Sequence, residues 1–385
     1  MKEIDHNFLP SQYKSSNELP INHNYLPQQF EDYEEVIVEI RKLVIRGDFT
    51  LGEAVNELEN EFKIITNSKY AIGVGSGTDA LFLSLKALGI KEGDEVITTP
   101  YTFYATIGAI VTAGATPKFV DIGEDYNIDS NLIEDAITSK TKAIVPVHWS
   151  GLICDMDIIT EIAEKYNLFI VEDACHAINA KRNGQTAGSM ANSACFSMHP
   201  LKNLNVWGDG GMIVTDDKDL HDKLVLLRNH GLRDRNICDV FAYNSRLDTL
   251  QAIVGKHYIK KIDHITNMRI KNASFYDEAL KSIPQIFIPS RHKANKQVFH
   301  LYCIRVKDRE DLQKYLVANG IDAKVHYPTP MHLQPAAKDF GYKLGDFPKS
   351  EKVCNEVLSL PVHEFISIEQ IQFTVNKIRE YYSFF

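Results

Sequence analysis

The sequence predicts an α/β fold in which a large domain, built on a seven-stranded and mostly parallel sheet, is followed by a smaller C-terminal α+β domain. Three observations carry this. Seven short apolar runs fall between residues 70 and 217. Amphipathic helical patterns separate several of them, as in a parallel sheet covered on both faces. The 385 residues, 44% hydrophobic and 24% charged, are enough for two cores.

Taken in order, the first 20 or so residues are polar and irregular and read as an arm, residues 1–21. A helical pattern follows from about Glu31 to Arg46, with Val36, Ile37, Ile40, Leu43 and Val44 on its apolar face, and a second runs through Ala54, Val55, Leu58 and Phe62. The expected strands are YAIGVGS (70–76), EVITTP (95–100), PKFVDI (117–122), KAIVPVHW (142–149), LFIVEDA (168–174), SACFSMH (193–199) and GMIVTDD (211–217). Helices are expected over 78–89, 103–113, 129–138 and 155–166, then over 218–229 and 246–281. The last part alternates a strand (300–306) with helices (308–319 and 364–382). The boundaries drawn are 22–260 for the large domain and 261–385 for the small one.

Composition excludes several classes. A formal charge of −9 argues against a general nucleic-acid binder, which carries a basic face. The opening MKEIDHNFLP has no apolar run of signal-peptide type, and no stretch approaches the ~20 apolar residues that span a bilayer. Cys154, Cys175, Cys195, Cys238, Cys303 and Cys354 are scattered with no C-x-x-C pair, so reduced thiols in a cytoplasmic protein are expected, with no disulfide framework and no metal site.

The most informative stretch is CFSMHPLKNLNVWGDGGMIVTDD, residues 195–217. Lys202 follows a strand by a few residues, in a turn marked by Pro200 and before Gly208, Gly210 and Gly211. Such a lysine either lies on the surface in solvent or points into a cleft, where it could form a Schiff base with an aldehyde. Asp173 sits at the C-terminal end of an apolar strand, where open α/β sheets place ligand-binding groups. It suits a helix N-cap or the partner of a protonated pyridine nitrogen, which would keep that ring an electron sink. His176, three residues on, suits a buried histidine or a contact with a ring hydroxyl. In YAIGVGSGTDAL a strand runs through small residues into a helix, and the N–H groups near Gly77 and Thr78 form a phosphate cradle. The glycines fall as G-x-G-x-G, which argues against a nicotinamide dinucleotide fingerprint. Phe103 is either a core aromatic or a face for stacking on a flat ring.

Together these segments resemble the DegT/DnrJ/StrS type of sugar aminotransferase, a branch of the type I fold of pyridoxal-phosphate enzymes. The match is an ordered series from about residue 22 to 383. It includes GDFTLGEAVNELENEF, SGTDAL, TPYTFYATIGAI, VEDACHA, FSMHPLKNL, GDGGMIVTDD, RNHGL, YNSRLDTLQA and HYPTPMHLQP. The resemblance implies that Lys202 binds pyridoxal 5'-phosphate and shuttles protons, that Asp173 pairs with the pyridine nitrogen and that Phe103 stacks on the ring. It places Gly77, Thr78 and Ser197 at the phosphate. It puts His176, where many relatives have glutamine, beside the ring hydroxyl. It brings Asn244 to the phosphate from a neighbouring subunit, which implies a homodimer with shared sites. Arg246 and His332 fall in motifs on the substrate side.

The implied reaction moves an amino group, with glutamate as the expected donor, to a ketone of a nucleotide-linked sugar by a ping-pong route. The alternatives are a small phosphorylated ketone as acceptor, a sugar dehydratase, a dehydrogenase and a cofactor-binding regulator. Relatives acting as dehydratases carry histidine in place of the lysine, so Lys202 favours amino transfer.

Overall fold

The seven apolar runs form the seven strands of one sheet in the structure, a computed structural model that describes residues 19–291 and 293–383. Of the expected arm, residues 1–18 lie outside the described residues. Two helices, α1 (Tyr33–Arg46) and α2 (Glu53–Thr66), precede the sheet. The chain then runs through β1 (Tyr70–Val74), α3 (Gly77–Ala87), β2 (Glu95–Thr98), α4 (Tyr104–Thr112), β3 (Thr116–Phe119) and β4 (Thr141–Ile144). It continues with α5 (Met156–Tyr166), β5 (Phe169–Asp173), β6 (Ser193–Ser197), β7 (Gly211–Thr215), α6 (Lys218–Arg228) and α7 (Thr249–Ile259). The strand order is β1-β7-β6-β5-β4-β2-β3. Five strands, β6 to β3 in that order, pair in parallel, and β7 runs antiparallel to both of its neighbours.

Both faces of the sheet are covered, which is why its strands read as continuous apolar runs. Successive residues alternate between two cores. Ile170, Ala194, Phe196, Met212 and Val214 face α2, α5 and α7 through Leu58, Phe62, Ile159 and Tyr258. Val171, Cys195 and Ile213 face α3, α4 and α6 through Leu81, Leu85, Ile110 and Leu224.

The stretch expected as one helix over 246–281 is two, α7 and α8 (Ile262–Leu280), joined at Lys260 and Lys261. The N-terminal end of α8 packs in the large core through Ile262, and its C-terminal half packs in a second core through Ala273, Tyr276 and Leu280. That second core holds a small antiparallel sheet of β8 (Ile286–Phe287), β9 (Tyr302–Val306) and β10 (Val357–Leu360). It is covered by α9 (Arg309–Ala318) and α11 (Ile368–Ser383), with α10 (Pro348–Glu356) leading into β10. The helix expected over 129–138 is instead two 3-10 turns, because Asp129 Oδ1 and Thr141 Oγ1 capture backbone N–H groups at its two ends. All six cysteines are unpaired. Among the described residues no helix is long and apolar enough to cross a membrane.

Candidate active site

The groups singled out in the sequence converge where β1, β5 and β6 end. Val74 leads through Gly75 and Ser76 into α3, whose first turn is capped by Ser76 Oγ accepting from the Asp79 N–H at 3.1 Å. The N–H groups of Gly77 and Thr78 have no partner within the helix and meet the positive end of its dipole. Gly77 is required by close approach: a Cβ there would lie 2.7 Å from the Ser197 Cβ and 3.0 Å from the Cys175 Sγ. The end of β6 therefore presses on the first turn of α3, which puts Ser197 beside the cradle.

Asp173 ends β5 and is buried. Its Oδ2 accepts from Thr106 Oγ1 at 2.7 Å and its Oδ1 from the Cys175 N–H at 3.2 Å. Thr106 is held in turn by Thr102, with 2.7 Å between their hydroxyls. The carboxylate is thus oriented from α4 and keeps acceptor capacity for a further donor.

Lys202 lies on the turn after β6, half-buried, with its N–H donating to the His199 carbonyl at 2.8 Å. Its amine interacts electrostatically with Asp173 and Cys175 on one side and with His176, His199, His300 and His326 around the cleft. Burial lowers its pKa, against the opposing pull of Cys175 and Asp173. The amine therefore becomes neutral, and nucleophilic, at a lower pH than an exposed lysine.

His176 is buried, 4.3 Å from the His300 ring and 5.4 Å from Trp149 between centroids. Burial first, and then the Lys202 charge, holds it neutral. Its Nδ1 has no hydrogen-bond partner among the described residues. Phe103 is 47% exposed at the start of α4, with Tyr104 5.3 Å and Tyr327 5.7 Å away between centroids.

The remaining candidates are placed differently. Asn244 is exposed on the segment that returns along α3, where the Gly75 N–H donates to the Ser245 carbonyl at 3.0 Å. Arg246 on the same segment binds Asn229 Oδ1 at 3.1 Å. His332 is buried, with Nε2 3.0 Å from Glu351 Oε1 and its ring edge-on to Phe347 at 4.8 Å, in a satellite core with Ile107 and Met331. Thr106, His300, Tyr327 and Tyr25 went unremarked in the sequence, since each reaches the cleft only by tertiary contact. One group of metal-ligand type lies together among the described residues, Asp32, Glu35 and His257, but Asp32 already binds the ammonium of Lys261 and His257 Nε2.

The chemistry of these residues suits a flat phosphorylated aldehyde. A cradle that a single Cβ would crowd, an amine of lowered pKa, a buried carboxylate with open acceptor capacity and an unpartnered imidazole nitrogen are the donor and acceptor set such a molecule needs. Known proteins agree. A model of the DegT/DnrJ/EryC1/StrS aminotransferase family matches residues 31–379. The chain is 42% identical over 360 residues to a pleiotropic regulatory protein of Geobacillus stearothermophilus, covering 92% of the chain and 97% of that relative. It is 38% identical over 354 residues to dTDP-3-amino-3,4,6-trideoxy-alpha-D-glucose transaminase of Streptomyces venezuelae, covering 91% and 93%. The crystal structure of S. venezuelae DesV in complex with a ketimine intermediate superposes with a TM-score of 0.92 at 36% identity, covering 94% of this chain and 98% of that one. The chain belongs to the DegT/DnrJ/EryC1/StrS aminotransferase family and is a pyridoxal-phosphate-dependent aminotransferase of type I fold.

Proposed function

We propose that this aminotransferase moves an amino group from L-glutamate to a ketone of a nucleotide-linked sugar, with Lys202 as its cofactor-binding base. The observation that carries the assignment of the site is the placement of Lys202 beside Cys175 and the buried Asp173 carboxylate, where Ser197 and Cys175 press on the first turn of α3. The acceptor class is drawn from the sugar-nucleotide transaminase among the relatives.

Each residue then has a task. The N–H groups at Gly77 and Thr78, with Ser197, receive the phosphate. Asp173, oriented by Thr106, would accept a hydrogen bond from the pyridine nitrogen and keep it protonated. Phe103 would cover one face of the ring, and the unpartnered Nδ1 of His176 would meet the ring hydroxyl. Bound pyridoxal phosphate supplies an electron sink for the pair released when the donor's α-C–H bond breaks. Lys202 Nζ would be the base that takes that proton and returns it to the substrate carbon, and the same amine would serve the ketone in reverse.

The same reading makes the enzyme a homodimer, with Asn244 serving the partner's phosphate. In support, the loop before Asn244 exposes Ile237, Val240, Phe241 and Tyr243, and Phe241 is 98% exposed. Four apolar side chains exposed together on one loop form the kind of patch that a partner covers. Sedimentation equilibrium is expected to give twice the mass of one chain, and a monomer at micromolar concentration would remove the shared site. For the acceptor, the protein is loaded with amine by L-glutamate and then offered a keto sugar nucleotide or a small phosphorylated ketone. Single-turnover return of the aldehyde form is expected at least about 100-fold faster with the nucleotide sugar, since remote binding energy raises the rate of the reacting centre. Equal rates would favour the small ketone. Cofactor binding without transfer to either would favour a regulator.

A further inference from the structure

The turn that carries Lys202 is gripped by a segment to which the reaction assigns no task. Residues 20–30 run from the small core to the large one. At one end the Ile21 N–H donates to the Gly320 carbonyl at 3.0 Å, and the Ile21 carbonyl accepts from the Asp322 N–H at 2.9 Å. At the other, Phe30 packs against Tyr258 at 5.1 Å and edge-on to Trp207 at 6.0 Å. Between these anchors two side chains reach the lysine turn. The Tyr25 hydroxyl donates to the Lys202 carbonyl at 3.1 Å. Gln29 Oε1 accepts from Asn205 Nδ2 at 2.6 Å, and that amide also donates to the Pro200 carbonyl at 2.5 Å.

Tyr25 is itself immobilised. Its ring stacks on His363 at 5.2 Å, and the Arg269 guanidinium lies 4.8 Å from its centroid. Arg269 is almost fully buried and paired with Glu364 at 3.3 Å. It donates to the Phe299 and His300 carbonyls at 3.2 and 3.3 Å, next to the ring that meets His176.

We infer that Tyr25 and Gln29 are positioning residues for Lys202: Tyr25 holds the carbonyl at 202 directly and Gln29 holds the one at 200 through Asn205, and together they fix where the lysine stem leaves the backbone, so that its amine stays beside Asp173 and Cys175. A lysine side chain loses much rotamer freedom when ordered, and a mobile backbone would add to that loss. The inference rests on Lys202 being the cofactor lysine, but its test does not pass through catalysis.

In cofactor-free protein, acylation of Lys202 by acetic anhydride is followed by peptide mass spectrometry across a pH series, with exposed Lys271 as internal reference. The charged and titratable groups facing the amine are Asp173, Cys175, His176, His199, His300 and His326. In the parent, the Lys202 midpoint is expected below that of Lys271. Tyr25→Phe and Gln29→Leu should each move it toward the reference by about half a pH unit or more as water reaches the amine. The rate at which pyridoxal phosphate rejoins the protein should fall about tenfold, as expected when a preorganised group is loosened. Both variants are assayed well below their melting temperatures, so the outcome decides either way. Midpoints that superimpose on the parent, with or without a lower melting temperature, overturn the inference. Were Lys202→Ala to retain amino transfer, the functional reading would fall while the midpoint shift still stood or failed on its own.

Discussion

Lys202→Ala is expected to lower amino transfer by at least about 10³-fold, because on the proposed assignment one substitution removes both the cofactor-binding amine and the base that moves the proton. The fold should be unaffected. The lysine's recorded backbone contacts, to His199 and Tyr25, use its N–H and carbonyl, which alanine keeps. Phosphate recognition at the α3 N-terminus should also persist, so the variant should still bind pyridoxal phosphate, but without the visible absorbance of a lysine imine. Single-turnover conversion of L-glutamate, read by absorbance, is the deciding measurement. A second arm adds methylamine to the variant: partial recovery would place the loss at the missing amine, since a small primary amine can enter the space it vacated. Turnover within tenfold of the parent would show that another group is the base.

Acid should loosen the folded chain well before its carboxylates are the main cause. His23 and His326 pack ring to ring at 5.6 Å, and burial is the first cause holding each down to about 3. Lys324 adds to this in both cases, and His363 on the adjoining segment is held down to about 4, again mainly by burial. These folded values lie below the unfolded value of 6.5, so the unfolded chain takes up protons first as pH falls. Stability is therefore complete above about pH 6.5 and drains away between there and pH 3. At pH 5 each of the two rings accounts for roughly 1–2 kcal/mol of lost stability, after allowance for their partial exposure. Urea unfolding at pH 7 and pH 5 measures the loss, and His23→Gln and His326→Gln should each flatten the pH slope. Parallel slopes for parent and variants would show that these rings titrate alike in both states.

The sheet was legible because its strands are buried on both faces, and that burial writes itself into sequence as runs such as KAIVPV and GMIVT. The ends of those strands were equally legible, which is why Asp173 and the lysine turn could be read as neighbours of a ligand. Helix boundaries were harder. No proline or glycine marks the break at Lys260 and Lys261, and the 3-10 turns after Asp129 follow from side chains capturing backbone groups. The second tier of the site left no local trace. Thr106 looks like one more residue of a helix, and His300 like the start of a strand. Tyr25 lies 177 residues from the carbonyl it holds. Such contacts are decided by packing between segments, and neither periodicity nor propensity encodes them.

The antiparallel placement of β7 also governs how the protein is made. During synthesis β1 emerges early, yet its only partner in the sheet is the last strand of the seven to leave the ribosome. Until Thr215 has appeared, the edge formed by Tyr70–Val74 has no partner strand, and the turn at Ser76 and Gly77 lacks the close backing of Gly211. The nascent chain thus carries an open strand through most of the large domain's translation, a state that invites chaperone binding. β7 follows the lysine turn in the chain, so its pairing with the inner edge of β1 joins the two sides of the candidate site.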